Sequence, residues 1–220
     1  LSKETVALFK NFAGINSNLL LKNGNKLATI SAQKNVMADA TVGETFPDFA
    51  IYDLNEFLGA MSLFDDPDLD FQDKYVSISQ GNMKIKFFAA DASVLTAPQK
   101  AITFPEAEIN FTLSSAMLNM IHKTASVLRA GDVSIVGDGT EIKFQAGDKK
   151  NATANAYSSF FGETDKEFSV NLKVDNLKLL PGDYNVKVSS KKICKFSNES
   201  LTYYVAAEAD SVFPEVEKPV

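Results

Sequence analysis

The stretch HKTASVLRAGD, residues 122 to 132, carries the only histidine and the only arginine of the 220-residue chain. Histidine changes charge near neutral pH, and arginine grips carboxylates and phosphates with a planar fork. Acid–base catalysis and anion recognition are therefore the two chemistries this stretch could serve. A hydrolase built on His122 needs a nucleophile, and no G-x-S-x-G elbow occurs. Neither a Walker sequence nor G-x-G-x-x-G is present, and Gly137-Asp138-Gly139 reads as a turn. With one His and one Cys, a metal would have to rely on carboxylates. The densest acidic run, DDPDLDFQD (65–73), lacks the glycine after the third acid and the closing glutamate of a calcium loop. It reads as a solvated turn around Pro67. No metal, no cofactor and no catalytic set is expected, so the chain reads as a non-enzyme, with a small hydrolase using His122 kept as an alternative.

Anion recognition has more behind it. On a helix over 114–129, Ser115, Asn119, His122, Ser126 and Arg129 recur at steps of four and three, with Lys123 beside them. This stripe has no carboxylate, in a chain with 28 acids. Lys3 and Lys10 share a face of a first helix, and Lys173 and Lys178 bracket a fourth. The second helix, DLNEFLGAMSL, carries Asp53 and Glu56 and no cation. A competing reading remains open. Arg129 falls in the last helical turn before Gly131, a natural C′ residue, where the dipole favours a cation by about 0.3–1 kcal/mol. His122 is then only solvated.

Four helices need a frame. The first follows Ser2, a good N-cap, with Leu1, Thr5, Leu8, Phe12 and Ile15 on one face. The third follows Ser114 or Ser115, with Leu113, Met117, Ile121, Ala125 and Leu128 on one face. Each leads into a predicted hairpin, around Asn23-Gly24 and around Asp138-Gly139, the dipeptides that accept positive φ most readily. A short strand and a second helix follow, FAIYDLNEFLGAMSL (49–63) and FSVNLKVDNLKLLPG (168–182). Each half closes on a hairpin ending FFAAD (87–91) or YVAAE (204–208). The paired features lie 115, 119 and 117 residues apart (24 to 139, 49 to 168, 87 to 204), the mark of a diverged duplication.

A Pro-containing connector over 92–110 separates the halves. The expected fold is α+β: two similar β-rich domains, each with two short helices packed on antiparallel sheet. The expected domains are 1–104, with the linker from about 92, then 105–213, then a disordered tail over 214–220. Through residue 104 there are 9 Lys and 12 acids, giving −3, and the remainder has 13 cations and 16 acids, also −3. A net charge of −6 argues against nucleic acid by bulk electrostatics alone. Cys194 stands alone, which fits a reducing compartment and excludes an internal disulfide. The opening LSKETVALFKNF has no uninterrupted apolar run of the kind a secretion signal or a membrane span needs. The three sequons, starting at Asn110, Asn151 and Asn198, are therefore taken as chance.

The sequence resembles the DNA polymerase sliding clamps of T-even-like bacteriophages. LSKETVALFKNFAGINS, AIYDLNEFLGAMSL, APQKAITFP, NLKLLPGDY and YYVAAEADS carry the resemblance, in order over nearly the whole chain. It implies a clamp-fold ring: a homotrimer of two-domain subunits, helices lining the hole and sheets forming the rim. Duplex DNA would run through the hole without sequence preference. The ring would tether the replicative DNA polymerase, be opened and closed by an ATP-driven clamp loader, and perform no chemistry. Its place would be the cytoplasm of the infected bacterial host, away from any membrane.

On this resemblance Arg129 and Lys178 lie in segments that match inner helices and would face DNA. Lys3, Lys10, Lys123 and Lys173 follow from helix position, and His122, largely neutral near pH 7, contributes least. Phe87 and Phe88 would meet Tyr157, Phe160 and Phe161 of a neighbouring subunit; the alternative is that these aromatics fill their own cores. A partner's hydrophobic tail would find walls in the linker and the C-terminal strand. A homo-oligomeric phage structural protein is the alternative function.

Overall fold

Two serines and an aspartate start the three α-helices. In α1 (Lys3–Ala13) the Ser2 side chain accepts from the Thr5 amide, and Thr5, Leu8, Phe9 and Phe12 are buried. In α2 (Leu54–Met61) Asp53 accepts from the Asn55 and Glu56 amides, and Leu54, Phe57 and Met61 are buried. In α3 (Ser115–Leu128) Ser114 accepts from the Met117 amide, and Leu118, Ile121, Thr124 and Ala125 are buried. The expected apolar faces are thus rotated slightly. Phe9, Leu118 and Thr124 are inside, whereas Leu1, Ile15, Met117 and Leu128 are half-buried.

The computed structural model describes residues 1–147 and 157–214. Residues 215–220 of the expected tail, and the sequon at Asn151, lie outside the described residues. The chain forms two units, Leu1–Ala101 with Ser200–Thr202, and Ile102–Glu199 with the chain from Tyr203 on. In the first unit the strands are β1 (Leu19–Leu21), β2 (Gly24–Ile30), β3 (Val36–Phe46), β4 (Phe49–Ile51), β5 (Asp68–Phe71), β6 (Tyr75–Gln80) and β7 (Met83–Phe88). β1 pairs with β4, β2 with β3, and β5-β6-β7 form a three-stranded sheet with β7 at an edge, all antiparallel. In the second unit they are β8 (Ile109–Leu113), β9 (Asp132–Asp138), β10 (Glu141–Ala146), β11 (Tyr157–Glu163), β12 (Glu167–Lys173), β13 (Tyr184–Ser189), β14 (Ile193–Ser197) and, from Tyr203 on, β15 (Leu201–Ala206). Four of them run β11-β10-β9-β12 and four run β15-β14-β13-β8.

Two expectations need correction. The Asn23-Gly24 hairpin does not form. Leu19 and Leu21, almost wholly buried, pair with Ile51 and Phe49 of β4, and the Asn23 amide donates to Asp48 Oδ1 at 2.8 Å. The real hairpin joins β2 to β3 through residues 31–35. There Ser31 Oγ accepts from the Asn35 and Val36 amides, and Lys34 takes φ 58°. Asp138-Gly139 does turn β9 into β10. Gly139 has φ 83°, and Asp138 Oδ1 accepts from the Thr140 and Glu141 amides. Gly137 is required as well, since a Cβ there would collide with the Phe168 ring and the Lys166 carbonyl.

The fourth helix is absent too. FSVNLK alternates as a strand, β12, and after it stands a single three-residue 3-10 turn, Val174–Asn176. Pro181 disfavours helical geometry at Leu180 and brings no N–H of its own, so no helix could continue past Leu179.

Candidate nucleic-acid interface

The cations expected to face DNA sit on three kinds of support. On α1, Lys3 and Lys10 are exposed and rim a groove of about 570 Å3 floored by Val6, Ala7, Leu58 and Met61. Asp65 and Asp66 stand on the same groove, so the lysines there do not see an acid-free surroundings. The N-terminus of α1 is anchored by Glu44, which accepts from the Ser2 amide and from Thr5 Oγ1, each at 2.6 Å. Desolvation opposes ionisation of Glu44, but the hydrogen bonds from Thr5 and Ser2 outweigh it and bring its pKa down to about 2.

The helix α3 has no acid anywhere along it. Its outward side carries Asn119, Lys123 and Ser126, with Met120 and Val127 exposed among them. The expected stripe is therefore displaced: Ser115 and His122 lie half-buried on its flank, and two apolar side chains interrupt it. Burial pushes the His122 pKa down, opposed by a hydrogen bond with the Leu177 backbone. The ring is accordingly uncharged at neutral pH, and its bonded partner is a backbone group.

Arg129 is itself the left-handed residue that ends α3, with φ 52° and ψ 35°, a position in which Gly131 was expected. The Arg129 amide reaches Ser126 O at 3.2 Å, and the Ala130 amide reaches Ala125 O at 2.9 Å. This is the paired closure of a Schellman end, with the buried alanines 125 and 130 in the usual apolar contact positions. A non-glycine residue in this conformation costs about 1–2 kcal/mol.

Lys173 and Lys178 bracket no helix. Lys173 closes β12 opposite Asp132 of β9, and its Nζ lies 2.6 Å from Asp132 Oδ1. The hydrogen bond to Asp132 raises its pKa, with Glu208 and Asp210 adding to the field. Its charge is locally balanced, which weakens it as a phosphate contact. Lys178 is exposed between buried Leu177 and Leu179. The support for that turn comes from Tyr184 of β13 and Tyr203 of β15, each on the inward face of its strand. Tyr184 Oη donates to Leu180 O at 2.7 Å, and Tyr203 Oη accepts from the Leu180 amide at 3.1 Å.

The five interface aromatics divide. Phe88 is 65% exposed on edge strand β7, and Phe160 is 53% exposed on edge strand β11. Phe87 instead meets Phe57 edge-on at 5.2 Å, Tyr157 meets Phe144 at 6.4 Å, and Phe161 meets Phe111 at 5.4 Å. Those three pack within their own units. Among the described residues no cluster of three or more His, Cys, Asp or Glu could hold a metal, and no helix is long and apolar enough to cross a membrane.

Comparison with known proteins adds three findings. The family model for the DNA polymerase processivity factor matches residues 2–103, and that for the gp45 sliding clamp, C terminal, matches residues 111–209. The chain is 34% identical over 222 residues to the sliding clamp of Enterobacteria phage T4, covering 96% of this chain and 97% of that one. It is 32% identical over 218 residues to the sliding clamp of Vibrio phage KVP40, covering 95% and 99%. Among solved structures, PCNA from Thermococcus kodakaraensis superposes with a TM-score of 0.71 at 12% identity, covering 94% of this chain and 96% of that one. PCNA from Entamoeba histolytica gives 0.67 at 16%, covering 93% and 94%. These last two speak for the clamp fold alone.

Proposed function

Since the chain belongs to the phage sliding clamp family of DNA polymerase processivity factors, we propose that three copies close into a ring around duplex DNA in the cytoplasm of an infected bacterium. As a member of that family the protein is a processivity clamp and not an enzyme: it associates with itself, with DNA and with a polymerase. The homotrimer, an ATP-driven loader that opens it, and the division into domains 1–104 and 105–213 belong to this proposal.

The observation that carries the DNA side is the acid-free exposed face of α3. Screening at physiological salt limits each charge to about 8 Å, so DNA responds to the nearest helix face and not to the bulk −6. Sliding calls for weak, sequence-blind phosphate contact, which Lys123, Arg129 and Lys178 supply better than a dense basic patch would. Lys3 and Lys10 share their groove with two acids, Lys173 is balanced by Asp132 and His122 is uncharged, so these four rank below Lys123 and Arg129 at the acid-free helix. For the ring closure, Phe88 and Phe160 on exposed edge strands are the pair to hold copies together. The comparisons do not favour the alternative of a structural protein.

Native mass measurement together with retention on circular DNA tests this reading. The expected species has three times the 24.0 kDa mass of one chain. Loaded rings should stay on a nicked circle and leave when it is linearised. Arg129→Glu should weaken retention with the trimer intact, and Phe88→Asp should lower trimer yield. A stable monomer, or retention indifferent to linearisation, sinks the proposal.

A further inference from the structure

The segment 174–181 has no helix to satisfy its backbone, yet it holds an exposed lysine between two buried leucines. Its polar groups are met partly within the turn and partly from distant residues. The Val174 amide donates to Gly131 O at 3.0 Å, and the Leu177 amide to Val174 O at 3.0 Å. Leu180 is held at both of its backbone groups by tyrosine hydroxyls, Tyr203 taking the N–H and Tyr184 giving its proton to the carbonyl. The two rings meet edge-on at 6.0 Å and are 1% and 0% exposed, so neither can shift without opening the core. Burial pushes both phenol pKa values up, Tyr184 to about 12, which keeps both hydroxyls protonated.

Such a bond network exceeds what a surface connector needs. Leu180 precedes Pro181 and could satisfy its own groups with water if the turn were free to move. Fixing it at N–H and carbonyl together sets the direction in which the preceding residues leave the core. The residue so aimed, two positions upstream, is Lys178.

We propose that Tyr184 and Tyr203 are positioning residues for the phosphate contact made by Lys178. The proposal rests on the reading that Lys178 faces DNA. It assigns the buried pair a role in the sliding surface besides packing.

The test is a double-mutant cycle on salt dependence. Binding of the intact trimer to a short linear duplex that can thread the ring is titrated between about 50 and 200 mM salt, the range over which phosphate contacts are most visible. Lys178→Ala removes three lysines from the ring, so the slope of log K against log salt should become shallower by about 0.9 for each copy that engages a phosphate, up to about 2.7. Tyr203→Phe, and the milder Tyr184→Phe, should lower the slope similarly, and adding Lys178→Ala to either should change it no further. Val186→Ala, a buried change in β13, serves as the control and should reduce stability with the slope kept. In DNA-free trimer, amide exchange at Lys178 and Leu179 should accelerate in the Tyr→Phe variants and not in that control.

If Lys178→Ala lowers the slope but both Tyr→Phe variants keep it, the positioning role is overturned while the DNA reading stands. Additive slope losses overturn it equally. If Lys178→Ala leaves the slope unchanged, the inference falls with the reading beneath it, and the exchange arm distinguishes the two failures.

Discussion

The segment Leu54–Met61 of the first unit and the segment 174–181 of the second occupy the same place in a duplicated order, yet they are built on different principles. The first is a helix: Asp53 caps its amides, the Ser62 hydroxyl donates to Gly59 O at 2.7 Å, and Leu54, Phe57 and Met61 seat it on the core. Its backbone is satisfied within itself. The second stops after one 3-10 turn, which has no side-chain cap, and its later groups are met by buried tyrosines. A duplicated fold can thus keep an element's position while replacing local hydrogen bonds with long-range ones. The first helices of the two units make the complementary point. Glu44 of β3 accepts from the Ser2 amide at the start of α1, and Asp183 accepts from the Ser115 amide at 2.7 Å at the start of α3. There the device was retained, with an acid brought in from a distant part of the chain to meet a helix N-terminus.

The contrast can be broken most forcefully at Phe57. Its ring is wholly buried and contacts Phe9 and Phe87. Phe57→Ala should destabilise the first unit by about 3–5 kcal/mol, read as a lowered urea midpoint. A loss under about 1 kcal/mol would mean α2 does not depend on its seat. Asp53→Ala sharpens the comparison. Removing that cap should cost about 1 kcal/mol, whereas Asp175→Ala in the uncapped 3-10 turn should change stability by no more than about 0.5 kcal/mol. Equal losses would erase the distinction between a self-closed element and an externally held one.

The effect that acid alone reveals concerns the device shared by the two helix starts. The pKa of Glu44 is about 2 in the folded chain against 4.5 for an ordinary glutamate. A depressed carboxyl contributes stability that is present above the ordinary value and lost as pH falls towards the folded one. The melting temperature of the wild type should therefore converge on that of Glu44→Gln as pH drops from about 4.5 to about 2. A gap that stays constant over that interval would show that the contact with Ser2 and Thr5 does not depend on charge.

Much of the fold was legible before any coordinates. Ser2, Asp53 and Ser114 each lie beside a helical apolar pattern, and caps act over two or three residues. Asp138-Gly139 was legible for the same reason, since the turn closes on its own side chain. Asn23-Gly24 has equal local chemistry and failed, because β1 found β4 about thirty residues away and buried its leucines there. For the interface, the sequence grouped five aromatics that the fold divides by exposure, since period-two alternation places Phe87 and Phe88 on opposite faces of one strand.

The amino-acid sequence by itself determined that this chain carries none of the catalytic motifs sought, that its halves repeat, that helices follow Ser2 and Ser114, and that the helix after Ser114 bears no acid. Apart from the repeat, which is read by comparing the halves, each of these depends on composition or on neighbours within about one turn of helix. Tertiary structure alone decided that Arg129 would take the left-handed end of α3, that Asp132 would balance Lys173 from 41 residues away, and that Tyr184 and Tyr203 would hold the turn carrying Lys178. The physical reason is common to all three. A buried backbone group or a charge must find a partner wherever the packed chain brings one, and that partner's distance along the sequence leaves no local signature.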